Sequence, residues 1–126
     1  MIERFHPDSF APVTVPLSHA TKAGDFVFVS GQVATTADGS IYLGDFATEV
    51  NQTLDNVEAV LAAAGAGIDQ IVKIGAFLSN ATLFTPFNEI YARRFGAAPP
   101  ARTTVVVAFG RGDVRVEVEA IAYVGH

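Results

Sequence analysis

At 126 residues, with a net charge of −5 from 13 acidic and 8 basic side chains, the chain is sized for a single domain, 1–126. Its lack of cysteine excludes disulfide frameworks, thiolate nucleophiles and Cys-based zinc sites, and fits a reducing compartment. The acidic balance, with Arg93-Arg94 as the one adjacent basic pair, argues against nucleic acid as a partner.

The N-terminal MIERFHPDSF carries early charges and no apolar h-region, so no signal peptide is expected. A first strand is expected over about Val13–Thr21, with Lys22–Asp25 turning a hairpin into a buried strand at Asp25–Val29. Asp38-Gly39 marks another turn. The period then changes. Phe46, Val50, Leu54, Val57, Leu61 and Ala64 recur at helical steps, leaving Glu49, Asp55 and Glu58 off the stripe. Asp45 is the expected N-cap of this helix and Gly65 its stop.

Ile71–Leu78 reads as a strand, and a second helix is expected from Thr82 to Phe95 with Pro86 in its first turn. The aromatic stripe of Phe84, Phe87, Tyr91 and Phe95 reads as core. Strands at Thr103–Phe109 and Val114–Tyr123 follow, and Gly110-Arg111-Gly112-Asp113 between them reads as a tight hairpin turn. That turn also explains the integrin-like tripeptide within it. The order implies an α+β architecture, a mixed sheet with two helices packed on one face.

No apolar run approaches the ~18–20 residues that cross a bilayer, so no membrane partner is expected and the reading is a cytoplasmic protein. Apolar residues make up 50% of the chain and charged ones 17%, below the roughly 25% usual for soluble domains. So apolar a small domain finds an outlet by burying surface between copies, and an oligomer is expected.

Arg102 is the foremost candidate for chemistry. It stands where the loop GAAPPA enters the apolar strand TTVVVAF, where a guanidinium must meet an anion or water. Its fork suits a carboxylate; the alternative is an internal ion pair with Glu117 or Glu119. In the last strand Arg115, Glu117 and Glu119 alternate with Val114, Val116 and Val118, which a solvated face explains. The expected hairpin sets Arg102 roughly opposite residues 119–121, so either glutamate could serve as a water-orienting base. Ser30-Gly31-Gln32 ends a buried strand, where glycine permits close backbone approach of a ligand or simply a turn. His6, His19 and His126 lack metal-ligand spacing, and neither a phosphate loop nor a Ser-His-Asp signature is present. No metal and no cofactor are expected.

Several segments together resemble the RidA/YjgF family, also known as endoribonuclease L-PSP. They are FVSGQ (Phe28–Gln32), QTLDNVEAVLAAAG (Gln52–Gly65), IVK (Ile71–Lys73), FTPFNEIY (Phe84–Tyr91), PAR (Pro100–Arg102) and VEVEAIA (Val116–Ala122), and the resemblance as a whole runs from about residue 11 to 123. The resemblance implies a chorismate-mutase-like homotrimer with active sites in clefts between subunits. It implies hydrolytic deamination of 2-imino acids, of the 2-iminobutyrate and 2-iminopropionate type, to 2-keto acids and ammonia.

Carried over by position, Arg102 falls on the carboxylate-binding arginine and Gly31 on the residue whose N–H assists it, with Ser30 alongside. Glu117 matches the glutamate that orients water, and Asn88 a helix asparagine near the site. Leu17 departs from a common pocket tyrosine, and Thr104 from a common cysteine whose role is largely backbone hydrogen bonding. Rival readings are a ribonuclease, a non-catalytic trimer that binds small carboxylates or acts in stress, and a pathway-specific deaminase with another substrate.

Overall fold

The computed structural model describes residues 1–126. Its strands and helices run β1 (Glu3–Phe5), β2 (Ala20–Ala23), β3 (Phe26–Gln32), α1 (Phe46–Ala63), β4 (Ile71–Leu78), α2 (Phe84–Phe95), β5 (Ala101–Val106) and β6 (Val116–Tyr123). One six-stranded sheet forms in the order β1-β2-β3-β6-β4-β5. Only β4 and β5 pair in parallel; every other neighbour is antiparallel. This is the expected mixed α+β sheet, with both helices on one face.

Local chemistry sets the helix ends. Asp45 caps α1 by accepting from the Thr48 N–H at 2.9 Å, and Gly65, at φ 79°, takes the left-handed step that stops it. The α1 stripe of Val50, Leu54, Val57 and Leu61 packs with Phe87, Ile90 and Tyr91 of α2 onto Val27, Val29, Ile74, Leu78, Val116 and Val118 of the sheet. Each such large apolar side chain stabilises the fold by roughly 1.5–3 kcal/mol. The Asp38-Gly39 turn is present, closed by the Thr36 N–H donating to the Ser40 carbonyl. No helix is long and apolar enough to cross a membrane.

Four expectations fail. The strand foreseen over Val13–Thr21 shrinks to Ala20–Ala23, because Pro12 and Pro16 cannot donate to a ladder and residues 11–19 form an irregular strap. The turn after it is correspondingly tighter, with Gly24 and Asp25 between the paired Ala23 and Phe26. Glu49, read as lying off the buried stripe, is itself only 1% exposed: its carboxylate accepts from the Arg115 backbone N–H at 3.0 Å and from Nε at 2.6 Å.

The third failure concerns the last two strands, which do not form a hairpin. The α2 crossover lays β5 parallel to β4 at the sheet edge, and β6 runs between β3 and β4. The fourth is the start of β5, which includes Arg102 within the strand. Both helices cover one face only. On the other, Phe26, Phe28, Val105 and Tyr123 are between 39% and 42% exposed.

Candidate active site

Arg102 is the second residue of β5 and pairs with Ile74 of β4, a side chain fully buried beneath the helices. It therefore projects to the helix side of the sheet. Helix α2 meets it there with Phe84, Phe87, Asn88 and Tyr91, spaced so that all four share one helical face. Asn88 Oδ1 accepts from Arg102 Nη2 at 2.7 Å. The guanidinium carbon lies 4.7 Å from the Tyr91 ring centroid, 5.5 Å from Phe87 and 5.8 Å from Phe84. Such cation–π contacts contribute about 0.5–2 kcal/mol each.

The ion pairs of this chain are Arg94 with Asp55, Arg111 with Asp113, and Arg115 with Glu49. Arg102 belongs to none of them. Its considered alternative, an internal pair with Glu117 or Glu119, does not form. Beside it, two residues along the same face of β5, the Thr104 hydroxyl is buried without a partner, as is the Tyr91 hydroxyl. Burial raises the Tyr91 pKa, and the charge of Arg102 opposes that rise.

The lateral row expected for Arg102 is correct, but its neighbours differ. Arg102 lines up with Ile74 and, one strand further, Ala120. With β4 interposed, Glu117 pairs with Phe77 and Glu119 with Gly75, on the open side of the sheet. Arg102 and both glutamates thus occupy opposite faces within one copy.

Glu117 has its own surroundings. It is half-buried against Gly31 of β3, whose hydrogen occupies a place where a Cβ would lie 2.8 Å from the Glu117 carboxyl carbon. Gly31 falls in the register shift between Val29 and Gln32, where β3 leaves its regular ladder with β6. Ser30 ties this bend down: its hydroxyl donates to the Ser18 carbonyl at 2.6 Å and its N–H to the His19 carbonyl. Burial pushes the Glu117 carboxyl above its usual range, and the nearby Glu119 charge adds to the rise.

Leu17, on the strap, and Gly31 line a common cavity of about 530 Å³ between the strap, the 31–41 loop and α1. Its wall includes His19, whose Nδ1 accepts from Gln32 Nε2 at 3.3 Å and whose pKa is lowered by burial and then by His6. A second cavity of about 260 Å³ lies on the open face beside Lys73, Gly75 and Glu119. Arg102 lines neither. No three His, Cys, Asp or Glu side chains are grouped so as to hold a metal ion.

The seven sequence candidates therefore fall into two clusters: Asn88, Arg102 and Thr104 beneath α2, and Leu17, Ser30, Gly31 and Glu117 around the β3 bend. Sequence reasoning missed the aromatic face around Arg102. The stripe itself was visible, but an asparagine set among aromatics at positions 84, 87, 88 and 91 is the signal that separates a guanidinium holder from plain core.

Comparison with known proteins gives consistent results. Residues 9–124 match the family model described as endoribonuclease L-PSP. A RutC family protein of Pyrococcus horikoshii is 40% identical over 109 residues, 86% of each chain. The crystal structure of yeast Mmf1 superposes with a TM-score of 0.92 at 34% identity, covering 98% of both chains. That of Escherichia coli TdcF with bound serine superposes at 0.88 and 30% identity, over 96% of this chain and 98% of that one.

Proposed function

Because this chain belongs to the RidA/YjgF family, the endoribonuclease L-PSP group, we propose that it is a cytoplasmic homotrimer that hydrolyses 2-imino acids to 2-keto acids and ammonia. One observation carries the reading: a guanidinium held by aromatic rings and an asparagine, with no carboxylate of its own chain to neutralise it. Such a group is a receptor for a small carboxylate. The serine held by TdcF is a ligand of that kind.

In this reading Arg102 and the Gly31 N–H grip the substrate carboxylate, with Thr104 and Asn88 beside them and Leu17 lining the pocket. Glu117 accepts a hydrogen bond from water and aims it at the imine carbon. Water adds to the C=N bond, its proton passing to nitrogen by way of Glu117, and a tetrahedral carbinolamine forms. The C–N bond then breaks, ammonia leaves with the hydroxyl proton, and the carbonyl closes. Holding a labile imine beside an oriented water supplies much of the acceleration.

Arg102 and Glu117 lie on opposite sheet faces, so a site containing both needs two copies of the chain. The open face of Phe26, Phe28, Val105 and Tyr123 is the apolar surface such copies would bury. The test couples the protein to a threonine dehydratase and follows 2-oxobutanoate release against semicarbazide trapping of the imine. Wild type should outcompete trapping. Arg102→Ala should lose roughly 10–100-fold in kcat/KM, the worth of one or two charge-assisted hydrogen bonds. Equal behaviour of the two proteins would sink the proposal. A non-catalytic carboxylate binder is separated by Glu117→Gln, which in an enzyme keeps 2-oxobutanoate binding and loses turnover.

A further inference from the structure

We infer that Tyr91 is the positioning residue that holds Arg102 ready as a carboxylate receptor, through its ring and not its hydroxyl; this rests on Arg102 being the carboxylate grip proposed above. A guanidinium beneath a helix needs something to fix it. A carboxylate would do so most strongly and would also cancel the charge that a visiting anion requires. Helix α2 has a carboxylate one residue from the contact, Glu89, and leaves it exposed without an ion pair. Aromatic faces and one amide oxygen hold the group in its place.

Aromatic rings attract the cation through their quadrupole yet carry no net charge, so the guanidinium keeps its full pull on a ligand. Contact with a ring face also leaves the in-plane N–H edges as the groups that can meet an acceptor, and Asn88 takes only one of them.

Of the three rings, Tyr91 is nearest to Arg102 and is itself packed between two others. It stacks on Phe95 at 4.3 Å, packs against Phe87 at 5.6 Å and is 5% exposed. Phe84 forms the outer wall, farther off and 42% exposed. A rigid ring fixes the cation before substrate arrives, which lowers the ordering cost of binding. The expected consequence is an effect on affinity, with chemistry at the imine carbon left alone.

The experiment compares Tyr91→Phe, Tyr91→Met and Arg102→Ala. It reads the dissociation constant for 2-oxobutanoate by NMR titration, KM and kcat in the coupled assay, and the Arg102 Nε–H resonance in the ligand-free protein. Tyr91→Met keeps an apolar side chain of most of the volume and removes the ring. It should weaken 2-oxobutanoate binding and raise KM about tenfold, change kcat less than about threefold, and markedly reduce the ring-current shift of Nε–H.

Tyr91→Phe should match wild type within about twofold in all three measurements. Phe84→Leu, which trims the farther and exposed ring, should raise KM less, about two- to threefold. Wild-type affinity and resonance in Tyr91→Met or, should that variant unfold, a wild-type Arg102 Nε–H resonance without any ring-current shift would overturn the inference. So would a Tyr91→Phe variant as impaired as Tyr91→Met. If Arg102→Ala binds 2-oxobutanoate normally, the carboxylate-grip reading itself fails; if only the ring variants are silent, the positioning role alone does.

Discussion

Gly31 and Glu117 face each other across the β3–β6 boundary so closely that a methyl on residue 31 would lie 2.8 Å from the carboxyl carbon and 2.9 Å from Oε2. The glycine therefore makes room for a carboxylate of its own chain. The sequence left two reasons for a glycine here, close approach of a ligand to the backbone or a plain turn. Making room for the acid is compatible with the proposed ligand contact, because the missing Cβ leaves both the N–H and the carboxylate uncovered.

Gly31→Ala should consequently push Glu117 aside without unfolding the protein. The obstructing atoms are the end of a flexible side chain, so the cost falls toward the low end of the roughly 1–3 kcal/mol usual for overpacking. Turnover should fall tenfold or more, since a displaced carboxylate misdirects its water. Thermal unfolding and kcat measured on one preparation check both parts. A variant with full kcat would remove Glu117 placement from the mechanism.

The pH dependence follows from the raised Glu117 pKa. Only the ionised carboxylate accepts a proton from water, so activity should decline on acidification at a pH above the ordinary carboxylate range. Glu119→Gln removes the like charge and should shift that acid limb to lower pH; burial, the larger cause, still holds it up. Stability carries the opposite sign. Between the unfolded and the raised folded pKa the native state binds more protons, so ionising Glu117 lowers stability as pH rises through that window. Glu117→Gln should flatten this part of the stability profile in denaturant titrations.

Arg115 and Glu49 make a lock that joins the start of α1 to the entry of β6, reinforced by Arg115 Nη2 donating to the Gly44 carbonyl at 2.6 Å. Arg115→Met strands a carboxylate that is 1% exposed and should cost about 3 kcal/mol. Adding Glu49→Leu should recover most of the loss, because an apolar pair removes the buried charge. Urea midpoints of the single and double variants decide this, and an unchanged midpoint in Arg115→Met would contradict it.

Opposite placement of Arg102 and Glu117 predicts complementation between impaired chains. Arg102→Ala and Glu117→Gln, refolded together, should regain activity above that of either alone. In a head-to-tail ring each site takes its arginine from one copy and its glutamate from the next, so random assortment restores about a quarter of the sites. Activity staying at the level of the separate variants in the mixture, with mixed rings demonstrated by mass spectrometry, would place both residues in a site of some other construction.

Some of this molecule could be read from local pattern, because the physical causes are themselves local. Period fixes α1 from Phe46 and β4 at Ile71–Leu78, and capping chemistry identifies Asp45 and Gly65 without any knowledge of neighbours. Prolines at 12 and 16 are equally local, and they exclude the first half of the strand expected over Val13–Thr21. The candidate residues stand in short segments that resemble the family, and the fold sorts them into two clusters.

Tertiary pairing decided everything that depends on which strand lies beside which. The valine–glutamate alternation of β6 is the same whether it pairs with β5 or lies between β3 and β4, yet only the second arrangement separates Glu117 from Arg102 by a sheet face. Helical spacing in α2 likewise cannot tell a ring buried against valine from one stacked on a guanidinium. Nor does it show that Glu49 has a cation waiting 66 residues away. Periodicity records which side of an element avoids water; its partner on that side is chosen by contacts between segments distant in sequence.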